Sequence, residues 1–327
     1  MGYSAEILQR ARTRLEQARA EREAENQAHL REAYEKVPRI REIDRQLRQT
    51  MAVAAQTVFS QGGDVEAAMN AAKEKNLALQ KEREDLAARY IAPGYQDDRP
   101  VCERCGGTGY IGSTMCDCLA QLCQEEQKKD LTVLGAGREN FADFRLDYYP
   151  DRKDARMGVN IRQVMKRTYE ICREYAETFT LHSGNLLFSG DTGLGKTFLS
   201  GCIAGAVTDR GYSVVYESAG HLFAELERVQ FGRDEEARRS STRYRDCDLL
   251  IVDDLGTEMP GGFVTYALYT LVNDRILDRK PTIISTNLNS EDLNRRYSPQ
   301  IASRLRGEYI RIPFLGDDIR ILKERRR

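Results

Sequence analysis

The stretch that most constrains the fold is NLLFSGDTGLGKTFLSGCIAGAVTDRG, residues 185–211. A short apolar run leads into G-x-x-x-x-G-K-T, and a helical stretch beginning at Lys196 and Thr197 closes at Gly211. Strand, glycine-rich loop and helix in that order are the context a phosphate-binding loop requires. Glycines let backbone amides approach phosphate oxygens, and the helix N-terminus adds a favourable dipole. Gly190, Asp191, Thr192, Gly193, Leu194, Gly195, Lys196 and Thr197 are therefore expected to hold a nucleotide. In this chemistry Lys196 reaches the β- and γ-phosphates, and the Thr197 hydroxyl ligates Mg²⁺.

Other short apolar runs, SVVY at 213–216, LLIV at 249–252, TIIS at 282–285 and YIRI at 309–312, read as buried strands. Helical stretches separate most of them, which predicts an α/β fold with a parallel sheet and crossover helices. DLLIVDDLG (248–256) would deliver Asp253 and Asp254 to the carboxyl end of its strand. Asp253 suits magnesium, directly or through water, and Asp254 is placed to polarise an attacking water. TIISTN ends another strand in Asn287, an amide able to hold that water or simply to make a turn. In SPQIASRLRGEYIRI, Arg304 and Arg306 close a helix before the last strand. Either could reach a neighbouring subunit's γ-phosphate, or merely complement its own helix dipole.

The front of the chain is different in kind. Charged residues make up 31% of the sequence yet the net charge is −1, so no global basic field marks a nucleic-acid binder. Residues 1–91 are rich in Glu, Arg, Ala, Gln and Leu, with strong breaks only at Pro38 and Gly62–Gly63. Helices are expected near 4–36, 39–60 and 64–90. Val65, Ala68, Met69, Ala72, Leu79 and Leu86 form a narrow stripe interrupted by Asn76 and Arg83. Such a stripe can bury one helix of the same chain or dock a partner. A linker, IAPGYQDDRP, precedes CERCGGTGYIGSTMCDCLAQLCQ. Cys102, Cys105, Cys116 and Cys118 match a closed tetrahedral zinc set, with Cys123 a possible substitute, and the intervening glycines allow the tight turn. Cys172, Cys202 and Cys247 lie in apolar runs and read as core. Eight cysteines in a chain without an apolar leader or a membrane-length apolar run point to a reducing, cytoplasmic setting. The expected division is 1–91 helical, 92–130 zinc-binding and 131–327 nucleotide-binding.

The phosphate loop, the Asp-Asp and Thr-Asn strand ends, Ser-Arg-Leu before the last strand, VDDLGTE and FLGDDIR together resemble AAA+ ATPases. The group is that of the DnaC/DnaI helicase loaders and the related IstB transposition ATPases. YEKVPRIREIDRQL and the cysteine cluster resemble DnaC-like ATP-binding proteins that carry a helical region and zinc ahead of the ATPase. The resemblance implies a sheet ordered 5-1-4-3-2, ATP-dependent homo-oligomers and single-stranded DNA bound by the assembly. It also implies an N-terminal region that grips a replicative DnaB-type helicase. Most AAA+ proteins have Glu where Asp254 stands, which implies slow hydrolysis, with Glu258 a nearby substitute. The sequence runs only briefly past the fifth strand, so Arg320 is expected to serve as a lone phosphate sensor. An IstB-like regulator acting with a transposase on duplex DNA, and a non-catalytic nucleotide-bound scaffold, remain the rival readings. Residues 227–246 interleave Arg228, Arg233, Arg238, Arg239, Arg243 and Arg245 with Phe231 and Tyr244, either a DNA-tracking surface or a solvated helix.

Overall fold

A computed structural model describes residues 3–61, 65–91, 99–133, 139–155, 157–232 and 241–324, with the side chains of 51–61, 65–69 and 132–133 outside the description. The Gly62–Gly63 break therefore lies outside the described residues. The chain forms two compact units, residues 14–116 and residues 1–13 with 117–327.

The first unit is built on α1 (Ala5–Lys36) from Arg14 onward, α2 (Pro38–Gln61) and α3 (Val65–Tyr90). Pro38 opens α2, where its missing N–H costs no helical bond. Ala33, Ile40, Ile43 and Leu79 are buried, and α3 packs along α2. Leu79 is thus spent inside the chain, while the stripe positions Val65, Ala68 and Met69 fall among the undescribed side chains. Arg83, which interrupts the stripe, donates to Asp44 on α2 at 2.7 Å. Tyr34 on α1 donates to the other oxygen of Asp44 at 2.9 Å. One carboxylate thereby ties all three helices.

The second unit holds a five-stranded parallel sheet: β3 (Asn185–Ser189), β4 (Val214–Ser218), β5 (Leu249–Leu255), β6 (Thr282–Thr286) and β7 (Tyr309–Pro313), after a small hairpin of β1 (Tyr110–Ile111) and β2 (Thr114–Met115) in the chain. The order is β4-β5-β6-β3-β7, which, counting these five strands by sequence from the other edge, is 5-1-4-3-2. Side chains alternate between two cores, as strand geometry demands. Leu186 and Phe188 face α5 (Ile161–Thr178) and α6 (Lys196–Asp209) with Met165, Phe179 and Ile203. Leu187, Leu250 and Ile284 face α7 (Ala219–Phe231) and the helix Gly262–Leu277 with Leu222 and Leu268. The edge strand β4 is sealed by α4 (Asp117–Val133), where Gln127 Oε1 accepts the Val214 amide at 3.1 Å and its Nε2 donates to Tyr212 O at 3.0 Å. Among the described residues, no helix is long and apolar enough to cross a membrane.

Arg275 anchors the lower end of the sheet. It is 1% exposed, and its guanidinium donates to the carbonyls of Tyr244, Cys247 and Pro281 and to Thr282 Oγ1. Carbonyl dipoles rather than a carboxylate balance this buried charge, and each acceptor left unpaired would cost about 1–3 kcal/mol. Arg275→Ala is expected to lower unfolding stability by at least about 3 kcal/mol in denaturant titration. Arg275→Lys should recover only part of it, because one ammonium cannot span acceptors on both sides of a planar fork.

Candidate functional site

The phosphate loop sits at the carboxyl end of the buried strand β3, and α6 begins at Lys196. Gly193 adopts φ 72°, and a Cβ there would overlap the Asp318 carboxylate. The Lys196 ammonium, 4% exposed, donates to Gly190 O at 2.8 Å and Asp191 O at 2.7 Å. Tyr149, buried, donates to Leu194 O at 2.9 Å and braces the loop from below. A cavity of about 350 Å³ opens over the loop, lined by Thr192 to Thr197 on one side and by Phe144, Tyr148, Asp254, Arg320 and Lys323 around them. Gly190 and Asp191 do not line it; their carbonyls accept from Lys196.

The two acids part company. Asp253 is 6% exposed, and its Oδ2 accepts the Tyr216 hydroxyl at 2.8 Å while its Oδ1 accepts Ser285 Oγ. Asp254 adopts φ 54° and turns its side chain into the cavity. Burial and then the neighbouring Asp253 push the Asp254 carboxyl above its ordinary range, against the pull of Lys196 and Arg320. Burial likewise draws the Lys196 ammonium below its ordinary value, opposed by Asp254, Asp253 and Asp191. Lysine, arginine and carboxylate thus share one field in a partly dehydrated cavity.

The other expected groups are not gathered here. Asn287 follows β6 and is exposed, without lining the cavity. Arg304 lies outside the cavity, donating to Asn273 Oδ1 at 2.9 Å and stacking 4.6 Å from the Tyr269 ring centroid. Arg306 is exposed beside Arg311 in a separate pocket. Glu258 is no substitute for Asp254. It is buried against the Gly256 amide at 2.9 Å and bonded to Tyr297 and Arg296. In the arginine-rich stretch, Arg243 is paired with Glu225 and Arg245 with Asp274, and Tyr244 is buried. Arg243 and Tyr244 are therefore spent on folding and Arg245 is paired at the surface, whereas Phe231 is 72% exposed and Arg228 is exposed too. Arg233, Arg238 and Arg239 lie outside the described residues. Tyr149, Lys323, Tyr216 and Ser285 join the site without any motif to announce them.

The cysteines meet. Ligand atoms of Cys102, Cys105, Cys116 and Cys118 all lie within 4.8 Å of one another. Cys102 Sγ and Cys116 Sγ are 3.8 Å apart, matching the roughly 3.8 Å edge of a tetrahedron with zinc–sulfur arms of about 2.3 Å. Gly106, Gly107 and Gly109 adopt φ of 63°, 81° and 81°, and the Gly109 amide donates to Cys105 Sγ at 3.3 Å. The donor set fits zinc. Cys123 is not in the cluster; it is buried on α4, and burial pushes its thiol up to about 11. Cys172, Cys202 and Cys247 are buried in the nucleotide unit.

Residues 165–301, spanning the loop, both acids and the Thr-Asn strand end, match the family described as IstB-like ATP binding protein. The chain carries an IstB/DnaC-like AAA+ ATPase domain. It is 24% identical to the replicative helicase loader DnaC of Escherichia coli strain K12 over 149 residues, 45% of this chain and 61% of that protein. It therefore spans about three fifths of that relative's length. The phage-like element PBSX protein XkdC of Bacillus subtilis strain 168 is 26% identical over 225 residues, 67% of this chain and 80% of that one. A solved structure, the crystal structure of the DnaC helicase loader, aligns with 21% identity and a TM-score of 0.42, covering 54% of this chain and 98% of that one.

Lys196→Ala should abolish tight ATP binding by the AAA+ domain while leaving its circular dichroism unchanged, since no neighbour can supply the lost charge contact. Unaltered nucleotide affinity would remove the site assignment. Metal analysis should return about one zinc per chain, lost when Cys102→Ser is combined with Cys105→Ser, with ATP binding retained. Protein purified without chelators and free of zinc would contradict this.

Proposed function

We propose that this protein is an ATP-dependent loader of a replicative DnaB-type helicase onto single-stranded DNA. The observation that carries the reading is Asp254 turned into one cavity with Lys196 and Arg320, on a domain similar to a protein named as a helicase loader. Lys196 and the loop amides hold the phosphates, and Arg320 and Lys323 face them from the opposite wall. Thr197 and Asp253 are the residues that would hold Mg²⁺, which supplies charge neutralisation between the phosphates. Asp254 orients the attacking water and Asn287 assists from the neighbouring strand end. The shorter side chain of Asp254 makes hydrolysis slow, and single-stranded DNA accelerates it, as suits a switch.

Arg304 completes a neighbouring subunit's site in an ATP-dependent homo-oligomer. Its separation from its own cavity supports a role in trans. The helical region within residues 1–91 grips the helicase, residues 92–130 form the zinc module, and residues 131–327 do the nucleotide chemistry. All of this takes place in the cytoplasm. The match to the IstB-like family favours a second reading, a transposition regulator acting with a transposase on duplex DNA. Co-elution separates the two: the loader reading requires a stable complex with the host helicase, and binding to a transposase alone overturns it. Turnover measured with and without single-stranded DNA separates both from a nucleotide-bound scaffold.

Arg304→Ala is expected to bind ATP normally and hydrolyse it on the order of 10³-fold more slowly. Mixing it with the Lys196→Ala chain should restore part of the turnover, because one contributes the pocket and the other the arginine. Association without rescue would confine Arg304 to its own subunit. Since Tyr3 donates to Gly211 O and Arg10 pairs with Asp130 within the nucleotide unit, the docking test deletes residues 38–91 rather than the whole helical region. That protein should keep ATP binding and lose the helicase; a retained complex would move the contact elsewhere.

A further inference from the structure

Between β5 and β6 the parallel ladder slips. Val252 pairs with Ile284 and Leu255 with Thr286, so Asp253 and Asp254 together oppose the single residue Ser285. This is a β-bulge, the device by which sheets re-aim a side chain near functional sites. Its second residue, Asp254, holds the left-handed φ of 54°, a conformation that few non-glycine residues adopt without support. Ser285 is fully buried and touches both residues of the bulge. Its Oγ accepts the Asp254 amide at 2.9 Å and donates its own proton to Asp253 Oδ1.

A second hydroxyl acts from the other side. Tyr216 on β4, itself buried, donates to Asp253 Oδ2 at 2.8 Å. It also lies 3.3 Å from Ser200 Oγ, which is within 3.0 Å of Lys196 O in the first turn of α6. Tyr216 therefore packs against the first turn of the phosphate-loop helix while it holds Asp253, and each oxygen of Asp253 accepts one hydroxyl proton.

We propose that Ser285, assisted by Tyr216, is the positioning residue of the acidic pair. By clamping the bulge it holds Asp253 as the carboxylate that serves the metal and turns Asp254 into the cavity. This rests on the nucleotide-hydrolysis reading above. Ser285 touches no nucleotide; it acts through the two aspartates, as partners behind a metal site do.

The test uses the full chain with Ser285→Ala, Ser285→Thr and Tyr216→Phe. A fluorescent ATP analogue is titrated at graded Mg²⁺, and steady-state hydrolysis is measured alongside. For Ser285→Ala, nucleotide affinity without Mg²⁺ should stay within about twofold while the half-saturating Mg²⁺ rises about tenfold. The kcat should fall about 10²-fold with KM changed less than about threefold. Ser285→Thr, which keeps the hydroxyl, should recover most of both. Tyr216→Phe should raise the Mg²⁺ requirement with a smaller loss of kcat. A folded Ser285→Ala protein with wild-type Mg²⁺ dependence and kcat overturns the proposal. If Ser285→Ala does not fold, Tyr216→Phe decides: a raised Mg²⁺ requirement supports the clamp and an unchanged one overturns it. A wild-type protein that does not hydrolyse ATP refutes the functional reading alone, and the Mg²⁺ titrations then judge the clamp in the same two ways.

Discussion

The Lys196 ammonium is almost sealed from water, and a charge so poorly hydrated must be balanced by the fold around it. Two loop carbonyls accept hydrogen bonds from it, and the paired aspartates of β5 oppose the downward pull of burial on the ammonium. This balance requires β5 to end near β3 with only β6 between them, which is the arrangement of the sheet. It also requires the lysine to leave a helix terminus pointing back over the loop, which α6 provides. The AAA+ domain thus has its charge chemistry set by strand order as much as by motif.

The cost of that balance falls on the acids. Burial, and after it the repulsion of the adjacent Asp253, raises the Asp254 carboxyl above its ordinary range. The fold relieves that repulsion by separating their surroundings. Asp253 is wrapped in hydroxyl donors, whereas Asp254 is given to the cavity beside Lys196 and Arg320. Like residues acquire unlike roles through environment.

Features fixed by consecutive residues were legible in the sequence. The phosphate loop must be contiguous because its amides surround one phosphate, and the C-x-x-C and C-x-C pairs must be close because one ion would bind all four. Features made by pairing distant strands were not. Nothing in TIISTN distinguishes Ser285 from any buried serine until register sets it against Asp253 and Asp254. Tyr149, 45 residues before Leu194 in the chain, gave no spacing signal either. Proximity in sequence also misled: Glu258 follows Asp254 closely, yet the turn at Gly256 carries it away to Tyr297 and Arg296. Arg243 and Arg245 looked like a basic track because the sequence hides Glu225 and Asp274, which neutralise them.

The seal over β4 has a consequence for how this protein fails. An uncovered edge strand offers unpaired amides to any other extended chain, and natural proteins cover or charge such edges to avoid sticking together. Here the cover is the side chain of Gln127, with its amide shared among the strand, the turn before it and Thr208 of α6. Damage that lifts α4 from the sheet would leave the phosphate loop untouched and expose an apolar template of Val214, Val215 and Tyr216. Such a protein would precipitate while its remaining soluble molecules still bound nucleotide, so a low yield of active material would report an uncovered strand rather than a broken site.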